Sequence, residues 1–225
     1  MDIRKSIKPL LISTMAVLLV FFILASMSES EVLAVNTQEG GQVFVDVFPG
    51  LWFYNDVGDV YARGIMRGVP GDPPRFMPDA PMTRAQFAAV LFRTTVLMSG
   101  AQSAANLPNP FADVDEGVWY TRYALWAADN SLIIGRPSGY FDPHAYVTKE
   151  ELATAFYRWQ ISENHIPPST IDAVWPDTDE ISAWAYESVM ALTTQGLFSY
   201  WPHEMFDPQS PATRAEMASI LHWLF

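Results

Sequence analysis

The stretch PATRAEMASIL, residues 211–221, decides how this chain is read, because related stretches occur twice more: PMTRAQFAAVL at 81–91 and YVTKEELATAF at 146–156. Their threonines, Thr83, Thr148 and Thr213, are 65 residues apart at each step. Thr is a good helix N-cap, and Glu three residues later completes a capping box. Thr148/Glu151 and Thr213/Glu216 meet that pattern, and Thr83/Gln86 is its amide variant. The apolar positions that follow are Phe87, Val90 and Leu91, then Leu152, Ala155 and Phe156, then Met217, Ile220 and Leu221. That i, i+3, i+4 stripe predicts three helices with one core-facing side each.

Working outward, Phe76-Met77-Pro78, Phe141-Asp142-Pro143 and Phe206-Asp207-Pro208 precede each threonine at the same spacing. Further upstream stand Asp46 and Trp52, Asp113 and Trp119, and Asp177 and Trp184. Twelve residues after each Trp comes Gly64, Ser131 or Gly196. A helix starting at the Trp and stopped by that Gly or Ser is expected in every copy. One helical hairpin buries too little to stand alone, so three must pool their stripes. The expected fold is all-α: three helix-loop-helix repeats in pseudo-threefold arrangement around a central three-helix bundle. The repeats span 44–98, 108–161 and 173–225, with polar, Pro-containing connectors at 99–109 and 162–172.

The first 34 residues read as an address. Arg4, Lys5 and Lys8 precede the uncharged, mostly apolar run 9–25, the pattern of a secretory signal peptide or, uncleaved, of a membrane anchor. Val32-Leu33-Ala34 is the favoured cleavage signal. Of the 13 basic residues of the chain, nine Arg and Lys149 lie beyond it. A formal charge of -12 argues against binding nucleic acid. Half the residues are apolar and 14% aromatic, which excludes disorder. With no Cys there is no disulfide framework and no thiolate chemistry.

The residue after each threonine is basic: Arg84, Lys149, Arg214. A cation in the first turn opposes the helix dipole at a cost of ~0.3–1 kcal/mol. A helix N-terminus beside a cation suits an anion, and a nearby Trp offers a flat face to a sugar ring. The alternative is structural: the arginines pair with Asp46, Asp113 or Asp177 to tie helix starts to neighbouring repeats. Core packing is the commoner role of a Trp that opens an apolar helical face, and the aspartates could simply cap turns. Enzyme signatures are missing. His144, His165, His203 and His222 show no paired metal spacing, and no G-x-S-x-G elbow occurs. Asp115/Glu116 and Asp179/Glu180 recur in two copies only, as charged surface turns. An EF-hand loop begun at Asp113 or Asp177 would end at Ala124 or Ser188 rather than Glu.

Taken together, Phe44-Val45-Asp46-Val47, Trp52, Gly64-Ile65, Phe76-Met77-Pro78 and Thr83-Arg84-Ala85-Gln86, with their counterparts, resemble the S-layer homology domain, in which three tandem repeats form one wall-anchoring unit. The resemblance covers about 44–225. It implies an exported, non-catalytic module at the cell wall or surface. The implied ligand is a pyruvylated secondary cell-wall polysaccharide, a peptidoglycan-linked glycan, bound in grooves between repeats. No cofactor and no metal is implied. The implied glycan contacts are Asp46, Trp52, Gly68 and Arg84; Asp113, Trp119, Gly135 and Lys149; and Asp177, Trp184 and Arg214. Ser199 is taken to stand where the other loops have Gly68 and Gly135, and Lys149 lacks the planar fork of Arg. The Arg84 groove is therefore expected to be the most competent. Two other readings compete: an exported scaffold that binds other surface proteins without glycan, and a wall hydrolase using Glu116 or Glu180.

Overall fold

The structure, a computed structural model, describes residues 43–100, 107–164 and 174–225. The signal segment 1–34 lies outside the described residues. Six α-helices follow one another: α1 (Tyr54–Ala62), α2 (Arg84–Ser99), α3 (Thr121–Asp129), α4 (Lys149–Ser162), α5 (Tyr186–Thr194) and α6 (Arg214–Trp223). A 3-10 turn, Thr178–Glu180, precedes α5, and no β-strand occurs among the described residues. The protein is all-α, as its repeat pattern predicts.

Local chemistry sets the helix ends. Thr83, Thr148 and Thr213 cap α2, α4 and α6, and all three capping boxes close. The shorter helices stop where Gly64 (φ 71°), Ser131 (φ 56°) and Gly196 (φ 84°) turn left-handed. The next N–H then reaches back: Ile65 to the Val60 carbonyl at 3.0 Å, Leu132 to Ala127 at 2.8 Å, Leu197 to Leu192 at 3.1 Å. That is the Schellman closure. The starts of α1, α3 and α5 differ from expectation. They lie two residues past the Trp, after Phe53, Tyr120 and Ala185, none of which makes a side-chain cap. Turns such as Tyr54 N–H to Leu51 and Thr121 N–H to Val118 deliver the chain to the helix, and the Trp sits in those turns.

Helices α2, α4 and α6 bury far more than one stripe. In α2, Ala85, Ala88 and Ala89 are buried beside Phe87, Val90 and Leu91. The reason is a second partner: α2 packs on α3, α4 on α5, and α6 on α1, while α2 touches α4 more lightly. Each long helix thus covers the short helix of the following repeat. Between α2 and α3, Phe92 meets the Tyr123 and Trp126 rings edge-on at 5.3 and 5.2 Å. Between α4 and α2, the buried Trp159 indole donates to the Thr95 hydroxyl at 2.7 Å.

The backbone repeats this order as a cycle. Met82 N–H donates to Ala212, Ala212 N–H to Val147, and Val147 N–H to Met82, at 2.9, 2.9 and 3.0 Å. All three residues are buried. Around them, Arg84 and Ala85 N–H donate to Ala145 and Pro143; Lys149 and Glu150 to Ser210 and Pro208; Arg214 and Ala215 to Ala80 and Pro78. In this outer ring the first repeat donates to the second, the second to the third, and the third to the first; the central ring of Met82, Ala212 and Val147 runs the other way.

A left-handed non-glycine residue costs ~1–2 kcal/mol relative to ordinary backbone, partly offset by glycine's larger unfolded entropy. Ser131→Gly is accordingly expected to stabilise the protein by about 0.5–1 kcal/mol, read as a higher urea midpoint at unchanged slope.

Candidate functional site

The aspartates of the three repeats hold their own loops. Asp46 accepts the Phe76 and Met77 N–H groups, both at 2.8 Å. Asp113 accepts those of Phe141 and Asp142, both at 2.7 Å. Asp177 accepts those of Phe206 and Asp207 at 3.0 and 2.7 Å. The second residue of each pair is left-handed: Met77 (φ 60°), Asp142 (φ 56°) and Asp207 (φ 54°). A residue before proline ordinarily prefers extended backbone, so the bidentate carboxylate is what fixes this kink. The preceding Phe76, Phe141 and Phe206 are fully buried.

Gly68 and Gly135 serve the same loops. A Cβ on Gly68 would lie 2.1 Å from the Phe44 ring, and one on Gly135 would lie 2.3 Å from the Phe111 ring. Glycine is needed there to seat the aromatic two residues before the aspartate. Counted from Gly196 as Gly68 is from Gly64, the third-repeat counterpart is Tyr200, not Ser199. In that repeat Trp175 takes the place of the phenylalanine and faces the Phe206 ring at 5.7 Å.

The three cations cross between repeats. Arg84 donates through Nε to the Phe141 carbonyl at 2.8 Å and through Nη2 to the Ile134 carbonyl at 2.9 Å. Arg214 makes the same pair with Phe76 at 2.8 Å and Arg67 at 2.7 Å. Each guanidinium also lies over the phenylalanine whose carbonyl it holds, at 5.2 Å for Arg84 and 4.6 Å for Arg214. Lys149, too short to fork, lies 3.4 Å from Glu216 and 3.8 Å from Asp207, with its ammonium 5.6 Å from the centre of the Trp201 ring. The cations do tie helix starts to neighbouring repeats, but the arginines do it through loop carbonyls rather than through the three aspartates. Nor are the helix N-termini free for an anion. Their first N–H groups donate to the next repeat's loop, and the third goes to the capping threonine.

The candidate residues therefore regroup. Arg84 belongs with Asp113 and Gly135, Lys149 with Asp177, and Arg214 with Asp46 and Gly68, each set spanning two repeats. The charge environments differ. Burial lowers the Arg84 pKa, with the Glu151 carboxylate, 3.5 Å from its Nη1, acting against that. Arg136 bonds the same Glu151 at 2.6 Å and Asp142 at 3.2 Å, and these carboxylates outweigh burial and raise its pKa. Burial also lowers the Arg214 pKa, with only the field of Asp46 opposing it. Arg84, whose groove ranked first on sequence, and Lys149 both have carboxylates within ion-pair distance.

Trp52, Trp119 and Trp184 are not core residues. They are 36%, 55% and 56% exposed. Trp119 leans on Tyr120 and Tyr123 at 5.4 and 6.4 Å and leaves the rest of its ring to solvent. Such a ring is a platform for a sugar face. Sequence reasoning missed Arg136, Asp142, Asp207 and Trp201 as groove residues. Their signal was their shared register: Arg136 and Trp201 follow the helix stop by five residues, and Asp142 and Asp207 follow the buried Phe.

Comparison with known proteins follows this geometry. The S-layer homology domain is matched at residues 43–88, 110–153 and 176–218. The chain is 30% identical over 168 residues to Cell surface glycoprotein 1 of Acetivibrio thermocellus, covering 71% of this chain and 7% of that protein. It is 27% identical over 157 residues to the Cellulosome-anchoring protein of the same organism, covering 70% of this chain and 34% of that one. An Endoglucanase of a Bacillus species is 25% identical over 224 residues, covering 99% of this chain and 22% of the enzyme. The chain thus spans between 7% and 34% of the length of these relatives.

Removing a carboxylate that satisfies two backbone N–H groups leaves both donors unpaired. Asp177→Ala is expected to cost about 3 kcal/mol of stability in denaturant unfolding, whatever its effect on binding. Gly135→Ala is expected to cost about 1–3 kcal/mol by forcing the Phe111 ring from its seat, with a lowered thermal midpoint as the readout.

Proposed function

The chain belongs to the S-layer homology domain family, and on that premise we propose that it is a non-catalytic cell-surface anchoring module. The ligand of this reading is a pyruvylated secondary cell-wall polysaccharide held in the grooves between repeats. The repeats at 44–98, 108–161 and 173–225 form the pseudo-threefold unit of this proposal, and the cyclic order of contacts among the three supports it. Relatives named as a cell surface glycoprotein, a cellulosome-anchoring protein and a Middle cell wall protein support an exported location at the cell surface. The Endoglucanase and the Amylopullulanase of Thermoanaerobacterium thermosulfurigenes are far longer than this chain, which covers 22% and 9% of them. Their catalytic names are consistent with repeats that serve as one part of a larger enzyme.

The observation that carries the glycan reading is that each junction between repeats holds a cation on the neighbouring loop, while each repeat also exposes a Trp ring. A pyruvate ketal contributes one carboxylate on an otherwise neutral sugar. The cation's remaining N–H groups recognise the carboxylate, an indole face stacks on the ring, and the partial burial of the cation strengthens the charge contact. The aspartates and glycines enter as the residues that hold the groove walls. The acidic balance of the chain makes such local cations conspicuous.

The test is co-sedimentation of the protein with purified Gram-positive cell walls before and after mild acid removal of the pyruvate ketals. Retention is expected to fall at least tenfold once the ketals are gone. Unchanged retention would favour the protein-scaffold reading instead.

A further inference from the structure

We propose that the groove between the third and first repeats, built on Arg214, is the one groove of the three whose cation is available to an anionic sugar, and that Gln86, Met77 and Val69 keep it available. This rests on the glycan-anchoring reading.

Three positions decide the electrostatics of each groove. The first is the third helical residue of the repeat that receives the cation. It is Glu151 opposite Arg84 at 3.5 Å and Glu216 opposite Lys149 at 3.4 Å. The register assigns Gln86 to Arg214. The second is the left-handed residue before the proline. Asp142 pairs with Arg136 in the first groove, and Asp207 lies 3.8 Å from Lys149 in the second. In the third it is Met77, which carries no charge. The remaining position follows the helix stop by five residues. Arg136 locks onto Glu151 there, and Trp201 lies over Lys149. Its counterpart Val69 is short and 45% exposed.

The first two differences remove carboxylates that would compete with a ligand. The third removes, relative to the second groove, the Trp201 ring that lies over the cation. Among the described residues Arg214 has no carboxylate within ion-pair distance, whereas Arg84 has one and Lys149 has two. Asp46 is its nearby anion, and both of its oxygens are already bonded to N–H groups. Arg67, whose carbonyl Arg214 holds, and Arg75 are exposed and also lack an ion pair among the described residues. Lys149 and Arg84 are 5% and 3% exposed, while Arg214 is only partly buried. An anion entering at the guanidinium edge of Arg214 that the Phe76 and Arg67 carbonyls leave free displaces no carboxylate. One entering at Arg84 or Lys149 must expel a carboxylate.

The experiment is calorimetric titration of the full chain with three probes. These are a monosaccharide bearing a 4,6-pyruvate ketal, its ketal-free parent, and inorganic phosphate. The wild type is expected to bind one equivalent of the ketal sugar and none of the parent. Arg214→Gln should abolish binding, and Arg63→Gln, at an exposed arginine paired with Asp59 away from the groove, should leave the affinity within about threefold. Gln86→Glu supplies the missing carboxylate. It should weaken binding at least tenfold and, with no sugar present, raise the thermal midpoint by about 2 °C through the new pair. Transplanting the first repeat's residues into the second, as R136V/D142M/E151Q, should add a second binding equivalent. Retention of binding in Arg214→Gln overturns the assignment. So does a Gln86→Glu variant that changes neither affinity nor midpoint, or a transplant that stays at one equivalent. Phosphate bound through Arg214 without any ketal-sugar binding would keep the groove assignment and overturn the wall-sugar reading. A wild type that binds no anion overturns both.

Discussion

Three backbone hydrogen bonds at the centre hold the rest of the protein in place. Met82, Val147 and Ala212 each donate to one neighbour and accept from the other, and all are buried. A buried N–H left unpaired costs ~1–3 kcal/mol, and no single repeat contains a partner for its own. Two repeats would still leave one donor and one acceptor open. The cycle is complete only with three, which gives the repeat number a physical reason. The same constraint aims the N-terminal N–H groups of α2, α4 and α6 at the next repeat's loop. Every long helix thus begins on a foreign carbonyl.

The cations follow from that placement. Once a helix start is set against a neighbour's loop, the first side chain of the helix reaches two carbonyls that the loop's left-handed kink has turned outward. The guanidinium answers them, which removes the dipole penalty that a cation at a helix start otherwise carries. The kink in turn depends on the aspartate that holds it. Asp113, Phe141, Asp142 and Arg84 are thus one cooperative piece drawn from two repeats. Stability depends on these residues through the loop and the helix start that they join.

Much of this was legible in the sequence. Capping boxes, helix stops and the long-helix stripes are local, and local rules found them. What escaped was what side-chain identity does not encode. The partners of Arg84 and Arg214 are backbone carbonyls, and a carbonyl leaves no mark in the sequence. The exposure of Trp119 depends on where a nine-residue helix begins, and two residues of error turn its ring from core to solvent. Left-handed Met77 sits before a proline, where local preference predicts extended chain. Glycines 68 and 135 read as room for a ligand, yet they make room for Phe44 and Phe111. The pattern that separated the grooves was visible as residue types at matched register. It acquired meaning only once the cross-repeat pairing was known.

The cycle also has a seam. The contacts between repeats one and two, and between two and three, are each spanned by covalent chain. The contact of α6 with α1 is held by packing and hydrogen bonds alone. In mechanical terms it is a clasp. Tension applied between the two ends of the folded unit is borne there first, because the other two joints cannot separate beyond the length of their connectors. Arg214 bridges that clasp, with its backbone N–H on Ala80 and its side chain on Phe76 and Arg67. The joint that carries the traction is the joint at which the repeats are fastened only by what lies between them.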